Sequence, residues 1–121
     1  MKDLELARLL FREFEKVHQL DATYGEKTIE LNQLLSKLFV ELTKDENIQF
    51  TTMFSRIAFV CHKHKISRAL QWRIHQLRKR KRSALLERSE LSKTEYLISL
   101  KTAAFTVSGF CQSPVPEVLT I

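Results

Sequence analysis

The chain reaches Pro114 before it meets a proline, and Gly25 and Gly109 are its only glycines. Sandwiches and barrels reverse direction every few residues and draw on these two residue types for their turns. A chain of 121 residues so poor in both is restricted to long helices with few connections. The length suits one domain with a core of its own and is short for two. With 44% hydrophobic and 28% charged residues, the composition is that of a folded globular domain.

Hydrophobic spacing divides the chain into five helical segments. Leu6, Leu10, Phe14 and Val17 recur three or four residues apart over 3–19, with Ala7, Leu9 and Phe11 widening the stripe. A second segment, 24–42, carries Ile29, Leu31, Leu34, Leu35, Leu38, Phe39 and Leu42. The sequence Thr23-Tyr24-Gly25-Glu26 precedes it, a capping box in which the hydroxyl and the carboxylate each satisfy an orphan N–H. The same pattern at Thr43-Lys44-Asp45-Glu46 predicts a third helix over 44–62, with Phe50, Met53, Phe54, Ile57, Ala58 and Cys61 inward. A fourth is expected from Ser67 to Leu91 with Leu70, Ile74, Leu77, Ala84 and Leu85 on one side. Lys81 interrupts that stripe, which predicts that the second half lies at the core's edge. Ser92-Lys93-Thr94-Glu95 opens a fifth, to Thr106, with Tyr96, Leu97, Leu100, Ala104 and Phe105 as its apolar residues. The expectation is an all-α bundle over 1–107 with an extended tail over 108–121. The apolar ending Ser113-Pro-Val-Pro-Glu-Val-Leu-Thr-Ile suggests a domain cut from a longer polypeptide, or a tail that pairs with an absent partner.

Charge is distributed unevenly. Residues 1–46 hold seven Lys/Arg and ten Asp/Glu, a net of 7 − 10 = −3. Residues 47–86 hold ten basic residues and no acid, a net of +10, and residues 87–121 hold three against four, a net of −1. Helices that mix signs gain support from Glu–Lys pairs four apart. A block without acids forgoes that support and accumulates repulsion, which an anionic partner relieves. Nucleic acid is the partner this favours. Lys63, Lys65, Arg68, Trp72, Arg73, Arg78, Lys79, Arg80, Lys81 and Arg82 are the candidate contacts. The cations would meet phosphates and release their condensed counterions. Trp72, on one face with Arg68, His75, Lys79 and Arg82, would stack on an unpaired base if exposed, or pack at the core margin if not. The opposing reading is that the acidic first helices lie against the basic pair and neutralise it within the fold.

Catalytic and metal patterns are missing. Cys61-His62-Lys63-His64 offers zinc-type donors, but adjacent residues on a helix point about 100° apart and no second paired motif completes four ligands. Histidines near a helix C-terminus, favoured by its dipole, account for the run more simply. No phosphate-binding glycine loop and no oriented nucleophile–base pair occurs. Neither an enzymatic activity nor a cofactor is expected of the domain itself. Cys61 and Cys111 are too few and too distant for a disulfide framework, and read as buried thiols of a reducing compartment. Acids interrupt the first apolar stretch and every apolar run is short, so a cytoplasmic chain without membrane attachment is expected.

The stretch Phe50-Thr-Thr-Met-Phe-Ser-Arg-Ile-Ala-Phe-Val-Cys-His-Lys-His, followed by Gln71-Trp72-Arg73-Ile74-His75, resembles the N-terminal helical segment of large bacterial superfamily-1 helicases. The resemblance covers roughly residues 30–80 and carries no catalytic residue. It implies an accessory role beside an ATPase core that would lie downstream of Ile121. The function expected is therefore a non-catalytic accessory domain that contacts nucleic-acid backbone through its third and fourth helices. A helical protein–protein interaction or oligomerisation module, docking on the rest of its own polypeptide or on a second copy, is the alternative.

Overall fold

A computed structural model describes residues 2–86 and 91–120, with side chains over 4–81 and 91–120. It contains α1 (Lys2–Gln19), α2 (Tyr24–Thr43), α3 (Met53–Lys63), α4 (Arg68–Leu86) and α5 (Lys93–Cys111), and then a short 3-10 turn, Glu117–Leu119. No strand occurs among the described residues. The chain is the all-α bundle that its glycine and proline scarcity predicts.

Helix α2 lies at the centre and touches all four other helices. Its stripe buries Leu31, Leu35, Leu38 and Phe39 against Phe14 of α1, Ile57 and Val60 of α3, Leu77 of α4 and Leu100 of α5, all members of one apolar cluster. Each such side chain removed from water contributes about 1.5–3 kcal/mol. Helix α1 packs on α2, α5 and the C-terminal turn, and touches neither α3 nor α4.

Two of the three capping sequences start helices. Thr23 Oγ1 accepts from the Glu26 N–H at 3.1 Å. At Ser92 both halves of the box form: its hydroxyl accepts from Glu95 N–H at 3.1 Å, and Glu95 accepts from Ser92 N–H at 3.3 Å. The third does not. Helix α2 runs on through Thr43, whose buried hydroxyl donates to the Phe39 carbonyl at 2.8 Å and accepts from Arg56. Residues 44–52 form a connection, and α3 starts at Met53 under a different cap, Thr52, which accepts from Ser55 N–H at 3.1 Å. Ser67 caps α4 by accepting from Leu70 N–H at 3.2 Å. The expected continuation of α4 to Leu91 falls partly on 87–90, outside the described residues; Leu91 itself is buried and non-helical.

Helix α5 continues past Thr106 to Cys111 because Val107 and Phe110 extend its buried face. It ends at Gln112, whose backbone is left-handed with φ 52°. The tail then folds back: Leu119 is buried against α1 and α5, and Val115 is half-buried. Ile121 lies outside the described residues. Among the described residues, no helix is long and apolar enough to cross a membrane.

Candidate nucleic-acid interface

Helix α4 is oriented by a short buried seam, Ile74 and Leu77 with half-buried Leu70. That seam turns the opposite face outward, so Arg68, Trp72 and Lys79 are exposed together. Trp72 is 62% exposed, the most exposed of the large hydrophobic side chains described. The spacing that set these residues on one face thus gives a solvent face, and Trp72 is not a core-margin packing residue.

The remaining candidates divide among other surroundings. Arg73 is exposed on the flank of α4 that faces α5, while Arg80 on the same flank is half-buried and donates to Ser99 Oγ at 3.2 Å. Ser99 Oγ in turn donates to the Glu95 carbonyl at 3.0 Å, so α4 and α5 are joined by a polar bridge. Lys81, four residues after Leu77, is half-buried. Arg78 points toward α3, its guanidinium 5.5 Å from the centre of the Phe54 ring and its Nε buried without a hydrogen-bond partner. The side chain of Arg82 lies outside the described residues.

Phe54, expected in the core, instead reaches α4. Its ring stacks on His75 at 4.8 Å and 25°. Both His75 ring nitrogens are buried and unpartnered. Burial, and then the nearby Arg78 and Lys79, hold its pKa below the ordinary value of 6.5. At neutral pH this histidine adds no charge to the surface.

Lys63 ends α3, and Lys65 stands on the turn between α3 and α4. Lys63 pairs with Glu46. Lys65 takes a left-handed conformation with φ 54°, which closes the helix in a Schellman turn: Ile66 N–H donates to the Cys61 carbonyl at 2.9 Å and Lys65 N–H to the His62 carbonyl at 3.3 Å. Glycine usually occupies that position, because a Cβ there costs about 1–2 kcal/mol. Cys61 is buried, and burial raises the pKa of its thiol. His62 and His64 are exposed on the same turn. Among the described residues no group of three His, Cys, Asp or Glu side chains converges as a metal site.

The electrostatic surroundings bear on whether the fold neutralises its own basic block. Glu13 pairs with Lys16 at 3.2 Å and Glu41 with Lys44 at 3.1 Å, each with a neighbour on or beside its own helix. Among the described residues, Lys63 is the one member of 47–86 in an ion pair. Sequence reasoning missed Ser99 and Lys101 of α5, which border the basic helix; nothing in their own spacing marks them, since they come beside it only through packing.

No family model, curated protein or solved structure matches the chain.

Proposed function

We propose that this domain is a non-catalytic nucleic-acid-binding accessory domain, holding phosphates on the outer face of α4 and the α3–α4 turn. The observation that carries the reading is that, among the described residues, Lys63 alone of the basic block is in an ion pair. Arg68, Arg73 and Lys79 are exposed without an ion-pair partner among the described residues, and the helix α1 packs away from α3 and α4. Charges left in repulsion are relieved when phosphate replaces their counterions. Lys65 joins this face, whereas Arg78 and Arg80 act mainly as ties to α3 and α5. Trp72, exposed between Arg68 and Lys79, supplies a ring on which an unpaired base stacks. The cytoplasm suits a domain with the buried thiol Cys61. In a longer polypeptide it would hold nucleic acid for a catalytic core carried elsewhere.

The test is fluorescence anisotropy with labelled single-stranded and duplex oligonucleotides across a salt series. If about four cations each neutralise one phosphate, log affinity falls against log salt with a slope of about −3 for single strands and −3.5 for duplex. Base sequence changes affinity little, because phosphate contacts position without reading. The double variant Arg68→Glu/Lys79→Glu, at two exposed positions, flattens the slope while its thermal midpoint stays close to that of the parent. Equal binding by parent and double variant rules the reading out.

A further inference from the structure

We propose that the groove between α4 and α5 docks an acidic amphipathic helix of a partner protein, on a surface that borders the proposed nucleic-acid face at Trp72 and Arg73 but does not include Arg68 or Lys79. The groove has a volume of about 710 Å³. Leu70, Ile98, Thr102 and Phe105 supply its apolar surface, Trp72 stands at its edge, and Arg73, Arg80 and Lys101 supply its charge. Among the described residues no carboxylate lines it. Three of its large apolar residues remain substantially exposed: Trp72, Ile98 at 44% and Phe105 at 46%. Isolated exposed apolar residues are ordinary, but a contiguous set in a concave surface marks a contact site.

Charge complementarity identifies the occupant. Among the described residues none of the three cations is in an ion pair, and the one polar tie is that of Arg80 to Ser99. A basic or neutral segment would leave them opposed or desolvated, whereas Asp and Glu flanking an apolar stripe would pair with them at the rim. Shape favours a helix. Ile98, Lys101 and Phe105 follow one another along α5 over about two turns, roughly 10 Å. Helical ligands place their anchors at i, i+3, i+4 and i+7, which matches that length. Phe105 and Lys101 also border a second depression of about 190 Å³, with Val115 and Leu119 on its far side. The apolar surface therefore continues across α5, further than a single base reaches. The Lys101 ammonium already lies 5.7 Å from the centre of the Phe105 ring. The groove's aromatic residues are Phe105 and, at the edge, Trp72, and Leu70, Ile98 and Thr102 complete an apolar lining that accepts the side-chain knobs of a helix.

The experiment titrates the chain into a fluorescein-labelled peptide of about 18 residues, five turns, with Leu at i, i+3, i+4 and i+7 and Glu on the flanks. A peptide of equal composition with the leucines dispersed around the helix is the comparison. The amphipathic peptide is expected to bind about tenfold more tightly than the dispersed one. Phe105→Ala and Lys101→Glu, both at exposed positions with circular dichroism checked, are each expected to weaken it by about tenfold. Arg68→Glu/Lys79→Glu leaves peptide binding within about twofold while reducing oligonucleotide binding, so the two surfaces fail or succeed separately. Equal affinity for the two peptides, or unchanged binding by Phe105→Ala, overturns the proposal. So does loss of single-strand binding in Phe105→Ala without any peptide binding, which assigns the groove to nucleic acid. A dimer in sedimentation that Phe105→Ala dissolves overturns it in favour of a second copy.

Discussion

His18 Nδ1 and the Tyr96 hydroxyl lie 2.8 Å apart, and this hydrogen bond ties the last turn of α1 to the first turn of α5. The two rings stack at 5.7 Å and 10°, and Tyr24 stacks on the same phenol ring at 5.4 Å. Lys27 completes the cluster, donating to the His18 carbonyl at 2.9 Å with its ammonium 5.5 Å from the centre of the Tyr96 ring. Tyr96 is 1% exposed, and burial, followed by the effect of Tyr24, pushes its pKa up to about 12. Burial first, then Lys27 and Lys93, lowers that of His18.

Stability is therefore limited at both ends of the pH range. His18 and His75 both have folded pKa values below the ordinary 6.5, so under acid the unfolded chain binds more protons than the folded one. Their contribution is whole above about 6.5 and declines as pH falls through that value toward the folded pKa values. For Tyr96 the folded value lies above the ordinary 10, so its contribution is whole below about 10 and declines as pH rises toward 12. Urea midpoints measured from about pH 5 to 11 are expected to fall off on both limbs. His18→Gln should flatten the acid limb and Tyr96→Phe the alkaline one; a midpoint constant from pH 7.5 to 5 contradicts the acid half.

Thr52→Ala is expected to cost about 1 kcal/mol, since it removes the hydroxyl that caps α3. Thr43→Ala is expected to cost a similar amount by another route, leaving the half-buried Arg56 without its acceptor. The two mechanisms separate by rescue. Thr43→Ser keeps the hydroxyl and restores most of the stability, whereas Thr43→Asp, a good capping residue, buries a carboxylate and makes matters worse. Thermal and urea denaturation of the four variants decides; full stability in Thr43→Asp would show that the position is a helix start after all.

At Lys65 two demands conflict. Glycine fits its left-handed backbone without a Cβ penalty, so Lys65→Gly should raise stability by roughly 1 kcal/mol. The same variant removes a cation from the proposed phosphate face, and the salt slope should lose about one unit of its magnitude times the per-phosphate factor. Differential scanning calorimetry and anisotropy on the one variant measure both. A destabilised Lys65→Gly would mean that the lysine stem packs on the turn in a way that outweighs the backbone gain.

The helices themselves were largely readable from period and from turn-residue scarcity, because α1 and α2 carry strong stripes over many turns. What failed was a boundary. Thr43-Lys44-Asp45-Glu46 matches a capping box, yet Leu38, Phe39 and Leu42 extend the α2 stripe to its threshold, and packing carries the helix through Thr43. The true start, Thr52-Met53-Phe54-Ser55, lacks the acidic fourth residue and gives no such signal. Phe54 reads as inward for a related reason: a 3.6-residue period puts it on an apolar stripe but does not reveal where the neighbouring helix ends, and it is 51% exposed. Spacing alone puts Arg68, Trp72 and Lys79 on one face, but that this face is solvent and Trp72 62% exposed depends on the seam of Ile74 and Leu77 packing on the other side. The half-burial of Arg80 against Ser99 likewise depends on how α5 lies beside α4.

The position of α1 has a kinetic consequence. It packs on α2, its neighbour in sequence, and on α5 and the turn that buries Leu119, at the opposite end of the chain, but on neither α3 nor α4. Closing α1 onto α5 thus spans nearly the whole polypeptide, whereas α2, α3 and α4 meet through shorter loops whose closure entropy is smaller. The central helices are set to condense first and the outer pair to dock late. Conservative truncations in the α1–α5 seam would then mainly accelerate unfolding, while those between α2 and α4 would slow refolding.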